Sequence, residues 1–404
     1  MRHTCLIAHS CPRGGHVVSV NSQALKIAGV TRDTPDPAGG VIVRDASGEP
    51  TGVLLEAAAQ LVRAHLPAPP AIAEQRRLLL AQMAAHNALG ITSVTEPGIS
   101  PANYELYASL RQQLTVRAHL LLRVTSLADV ETMVEAFPGK SGDDMLSLDG
   151  FKSYADGGVE GGYLYQPYQV IPGEQTNPGY RGTLRLPAGG EDELARMYVT
   201  AARHKFQFQT HVVGDAAFDI VVSALRKAND EIRLAPYRFA LMHLFLPSHA
   251  GMKTMKRMGI LATVQDHPVL LGDNMVKWWG RERAGRGIPV RDLIDAGLVV
   301  AGGTDAPVVP PSPLWSLGWM TTRKTLQDEI LGAGQAITPA EALHLYTAGS
   351  AYTQFAEHSV GTLTPGKRAD LVVLDGNPLT CRRDEIRDIK VQETMVDGRT
   401  VYSL

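Results

Sequence analysis

Phe206-Gln207-Phe208-Gln209-Thr210-His211 runs into Val212-Val213-Gly214-Asp215, and residues 214–228 then carry a helix-like pattern. A short β-rich run that ends on a histidine and gives way to a helix is the repeating unit of a parallel sheet. Successive parallel strands need a crossover connection, usually a helix, and their burial on both faces favours short, core-forming runs. The same unit recurs outward in both directions. Toward the start of the chain lie Ile91-Thr92-Ser93-Val94, His119-Leu120-Leu121-Leu122-Arg123-Val124 and Gly150-Phe151-Lys152-Ser153-Tyr154. Toward the end lie Arg238-Phe239-Ala240-Leu241-Met242-His243, Gly259-Ile260-Leu261-Ala262-Thr263-Val264 and Gly297-Leu298-Val299-Val300-Ala301. Helical stretches at 71–89, closed by Gly90, and at 289–296 fit the same alternation. The expected fold class is α/β, a TIM-like (β/α) barrel with seven of its eight strands recognisable.

Both ends depart from that pattern. Asn21 can cap a short helix ending at Gly29, and the runs 41–44 and 51–55 flank Ala46-Ser47-Gly48-Glu49 as a β-hairpin. After about residue 355 the helical pattern stops. Residues 370–374 and 393–396 read as strands, with Asp397-Gly398 as a turn before Thr400-Val401-Tyr402. The expected organisation is an N-terminal subdomain over 1–56, the barrel over 57–354, and the C-terminal part of a small β-sandwich over 355–404. The glycine- and proline-rich stretch 157–190 reads as a long loop, either functional at the barrel mouth or an inert insertion.

Bulk properties narrow the function classes. The 404 residues are 44% hydrophobic with a net charge of -2, a balanced surface that serves neither nucleic acid nor an anionic membrane as main partner. Three scattered cysteines form no disulfide framework or metal knuckle, and no apolar run reaches the roughly 18 residues of a membrane span. The first residues lack a sustained apolar run, so a cytoplasmic protein acting on a small molecule is expected.

Four of the strands end on residues able to bind metal: Lys152, His211, His243 and Asp305. In a (β/α) barrel such ends converge on one mouth, whereas a lone buried histidine is usually a core residue. Neutral imidazoles suit zinc. An ammonium does not, unless the Lys152 amine is carboxylated by CO₂ and becomes an oxygen ligand. Asp305 is the expected catalytic residue, touching the metal and moving a proton between water and the leaving group.

These runs carry a resemblance. Phe151-Lys152-Ser153-Tyr154-Ala155-Asp156-Gly157, Thr210-His211-Val212-Val213-Gly214-Asp215-Ala216-Ala217, Leu241-Met242-His243 and Gly303-Thr304-Asp305-Ala306-Pro307 resemble successive motifs of the amidohydrolase superfamily. More narrowly they resemble its amidohydrolase-3 or YtcJ-like branch. Gly15-His16 with Asn21-Ser22, and Gly361-Thr362-Leu363 through Ala369-Asp370-Leu371, are similar to two further segments of that branch. The resemblance implies Lys152 as a bridging ligand, His211 and His243 as ligands of a second metal, and Asp305 as ligand and proton shuttle. It also implies one or two divalent ions, with zinc the expected metal, and hydrolysis of C–N bonds in small amides or formamides.

The family's first barrel strand ends in His-x-His, and no such pair occurs in this sequence. Two readings follow: a chain that starts partway into the family's pattern and is catalytically dead, or a short form holding one metal through Lys152, His211 and His243. An ester or lactone hydrolase using the same residues is a further alternative. A missing strand leaves barrel edges that favour homo-oligomers. His16, His267 and Arg323 are candidates for substrate binding, each balanced by an ordinary structural role. The cluster Lys277, Trp278, Trp279 and Arg281 could line a pocket or a solvated loop.

Overall fold

In the computed structural model the described residues are 9–10, 17–37, 39–66, 68–171 and 179–404. His16 lies outside them, as do residues 172–178 of the long loop. The central sheet has seven parallel strands: β1 (Ser93–Ile99), β2 (Arg117–Arg123), β3 (Leu146–Tyr154), β4 (Gln207–Val212), β5 (Ala240–His243), β6 (Leu261–Val264) and β7 (Val300–Gly302). They hydrogen-bond in strict chain order, with a two-residue antiparallel piece, Ser141–Gly142, beside the start of β3. Nearest-neighbour order with a helical connection at most steps curls the sheet into the wall of a TIM-like barrel.

Apolar residues on the helices close the outside of this wall. Gly190–Arg203 buries Leu194, Met197, Tyr198, Val199, Ala201 and Ala202, and Asp215–Glu231 buries Phe218, Val221, Val222 and Leu225. Gly150 lets β3 and β4 approach closely, since a Cβ there would stand 1.9 Å from the Gln207 carbonyl oxygen. Any side chain at that position would push the Lys152 strand off the His211 strand.

Among the described residues no strand fills the interval between β1 and β7. Instead, the segment at 346–354 ties the two edges together. Tyr346 and Ser350 donate to the Gly303 and Gly302 carbonyls at 2.8 and 3.0 Å. Gln354 accepts from Ser93 and donates to Thr95, at 2.9 and 3.1 Å.

Two antiparallel sheets flank the barrel. His9–Ser10, Val17–Val20, Pro50–Glu56 and Gly40–Arg44 form the first, around a small core of its own that includes Val18, Leu25, Ile42 and Leu54. Asn21 caps the helix Ser22–Ile27, accepting from the Ala24 amide. Leu371–Leu374, Val391–Val396 and Arg399–Ser403 form the second, turned at Asp397 and Gly398, both with positive φ. A buried pair, Arg117 with Asp370 at 2.7 Å, fastens that sheet to the start of β2.

Candidate metal centre

β5 ends on His243, and β7 leads through Gly303-Thr304 to Asp305. Both residues hold left-handed backbone, with φ of 74° and 58°. Non-glycine residues rarely adopt that conformation, and it gathers at sites where side-chain direction matters. His267, beyond the end of β6, completes the group. Its Nε2 lies 3.0 Å from Asp305 Oδ2, and the ligand atoms of His243, His267 and Asp305 all lie within 4.8 Å of one another. Two imidazoles and a carboxylate at that spacing match the nitrogen and oxygen donors of a tetrahedral zinc site, so the residues fit a divalent cation.

Neighbouring groups set the chemistry of each donor. His243 Nδ1 faces Gln265 Oε1 at 2.7 Å. An amide oxygen only accepts, so Nδ1 carries the proton and Nε2 offers its lone pair. Burial pushes the His243 imidazole down to about 3, so it stays neutral at any ordinary pH. Asp305 moves the opposite way. Burial alone would lift its carboxyl, but the His267 hydrogen bond, helped by the electrostatic influence of the neighbouring His243, His267 and Lys152 side chains, outweighs that and holds it below the usual carboxylate value. A third of the Asp305 side chain remains open to solvent, which is how water and substrate can reach it.

His211 and Lys152 stand on the adjoining wall. The His211 ring is 4.6 Å from the His243 ring, centroid to centroid, and its Nε2 is 2.9 Å from the Gly157 carbonyl oxygen. Lys152 is buried, with Nζ 3.0 Å from Met242 Sδ. Burial, with the charges of Arg185 and Arg123 adding to it, pushes the amine down to about 7. A neutral amine is the form able to add CO₂. Glu96, at the open edge of β1, is reached by solvent yet sits in a recess. That enclosure and the like charge of Asp305 lift its carboxyl to about 7.

Asp156 shapes the mouth from behind. Wholly buried, it accepts from the amides of Tyr163, Val213 and Gly214 at 2.8, 3.0 and 2.7 Å. It thereby joins the loop after β3 to the loop after β4.

The structure therefore brings together Lys152, His211, His243 and Asp305, and adds His267 as a direct neighbour of Asp305. Arg323 is elsewhere. Its fully buried guanidinium donates to the carbonyls of Leu331, Ile288 and Gly287 and stacks 4.2 Å from the Trp319 ring, which leaves it no route to a substrate. The cluster Lys277, Trp278, Trp279 and Arg281, read as either a pocket wall or a solvated loop, lies on two helices instead: Trp279 is buried and donates to the Val159 carbonyl, while Arg281 pairs with Glu329. Sequence reasoning missed Gln265, Asp156, Tyr154 and Glu96. Gln265-Asp266 could have been found, because two strongly polar residues directly follow the buried strand β6.

A parallel α/β barrel whose strand ends gather imidazoles and a carboxylate within reach of one cation defines the class: a hydrolase barrel of the metal-dependent kind. The sequence signature of the amidohydrolase family matches residues 4–402, and the chain belongs to that family. It is similar to YtcJ of Bacillus subtilis, 28% identical over 402 residues that cover 96% of this chain and 72% of that protein. It is also similar to the N-substituted formamide deformylase of Arthrobacter pascens, 28% identical over 407 residues, 98% of this chain and 73% of that one. Its fold is that of an uncharacterized metal-dependent hydrolase from Pyrococcus horikoshii, with a TM-score of 0.72 at 20% identity over 91% of this chain and 71% of the other. No helix among the described residues is long and apolar enough to cross a membrane.

Proposed function

We propose that this protein hydrolyses a C–N bond in a small amide or formamide, using a divalent cation held by His243, His267 and Asp305 with His211 and Lys152 alongside. The carrying observation is the convergence of His243, His267 and Asp305 to within 4.8 Å at the strand ends. Zinc suits these donors, and a carbamate on Lys152 would add an oxygen ligand. When bound, the cation polarises the carbonyl and acidifies water.

The chain's own residues do the rest. Asp305, held as a carboxylate, takes a proton from water as its oxygen adds to the carbonyl carbon. It then delivers that proton to the nitrogen as the C–N bond breaks, releasing an acid and an amine. In the metal-free site His267 holds the Asp305 carboxylate in place, ready to become a ligand when the cation binds, and Gln265 fixes the His243 tautomer.

An N-substituted formamide is the first substrate to test, because a relative of 28% identity bears that activity in its name. Elemental analysis and a formate-release assay after zinc and bicarbonate are supplied test the reading. Stoichiometric metal with turnover supports it, and protein that takes up no metal sinks it. The open interval between β1 and β7 favours a second reading, a barrel that binds small molecules without turnover; metal uptake without release of product would select it.

A further inference from the structure

Arg123 closes β2, in register beside Lys152 on β3. Three cations surround a single ring there. Lys152 Nζ lies 4.5 Å from the Tyr154 centroid, Arg185 Cζ 5.0 Å and Arg123 Cζ 5.4 Å. Tyr154 also lies beside His211, 5.2 Å between ring centroids, so the cluster adjoins the candidate metal centre. A ring quadrupole attracts each cation only weakly at a wet site, and it cannot offset their mutual repulsion.

The three cations are not balanced alike. Arg185 pairs with Glu56 at 3.2 Å. Lys152 is buried away from solvent, with Nζ 3.0 Å from Met242 Sδ. Arg123 is exposed, and among the described residues it makes no ion pair. Among the described residues a planar, permanently charged fork thus stands exposed at the end of β2, one tyrosine ring away from His211, with no carboxylate paired to it.

We infer that Arg123, presented beside Tyr154 at the end of β2, anchors a carboxylate of the substrate. The molecule cleaved is then a small N-acyl or N-formyl compound bearing an acid group. The inference rests on the hydrolase reading and narrows it to one substrate class. Bidentate pairing explains why an arginine suits this place better than a lysine.

Calorimetric titration of the zinc-loaded protein with N-formylphenylalanine and N-formylphenylalaninamide, and with the matching leucine pair, tests this directly. In the wild type at least one acid should bind about 10-fold more tightly than its amide, the scale of a charge-assisted hydrogen bond. Arg123→Gln should erase that preference by weakening acid binding alone, and Arg123→Lys should restore part of it. Equal binding of acid and amide, no acid binding, or a preference that survives Arg123→Gln overturns the anchor. Formate release measured in parallel separates the two readings. Acid preference without turnover removes the hydrolase and keeps the anchor, whereas equal turnover of acid and amide does the reverse.

Discussion

His267 Nε2 stands 3.0 Å from Asp305 Oδ2, joining the turn beyond β6 to the loop after β7. Of the influences that keep Asp305 ionised, this hydrogen bond is the largest. Removing it should let burial prevail. His267→Ala is expected to raise the Asp305 pKa, so the acid limb of the pH–rate profile moves to higher pH. Metal affinity should fall as well. A limb that stays in place would show that His267 does not govern this carboxylate.

Gln265 acts one bond further out. Losing an outer partner of a ligating histidine typically weakens metal binding by about 10–100-fold. Gln265→Leu should do the same through His243, as read by competition with a zinc chelator. Unchanged affinity would mean that the 2.7 Å contact does not set the tautomer.

Lys152 gives a prediction on stability. Its folded pKa, about 7, lies below the ordinary 10.5, so between those pH values the unfolded chain binds more protons. Stability of the metal-free protein should therefore rise with pH across that window. Lys152→Met should lose the slope and, at pH 7, gain roughly 2–4 kcal/mol in urea unfolding while losing activity. A slope that persists in the variant would assign it to another group.

Arg323 should behave as a structural residue. Arg323→Ala strands three buried carbonyls and empties a large volume, which costs about 3 kcal/mol or more. Denaturant midpoints should fall while KM for the folded protein holds. A raised KM at unchanged stability would restore the substrate-binding reading.

Most of the barrel was legible because buried parallel strands read as short apolar runs, and β2 to β7 lie where those runs fall. The strand β1 extends past the legible run 91–94 to Ile99, through Glu96-Pro97-Gly98. Proline and glycine normally argue against a strand, and only an edge position tolerates them here. Lys152, His211 and His243 were readable because each stands at or near the end of a short β-rich run, where parallel strands deliver their side chains to one end of the sheet. The pairing of His267 with Asp305 was not, since it joins two loops whose path depends on tertiary packing rather than on local pattern. Arg323 misled for a related reason: an arginine's sequence neighbours do not reveal that three distant carbonyls enclose it.

Asp156 has a practical consequence for anyone redesigning this protein. One sunken carboxylate pins three amides on two separate rims, so the frame of the doorway is decoupled from its furnishings. Libraries seeking altered selectivity should spare Asp156, Tyr163, Val213 and Gly214. Diversity belongs in the exposed positions just past the pin, Tyr165, Gln166 and Pro167, where new side chains can be tried without unhinging the entrance.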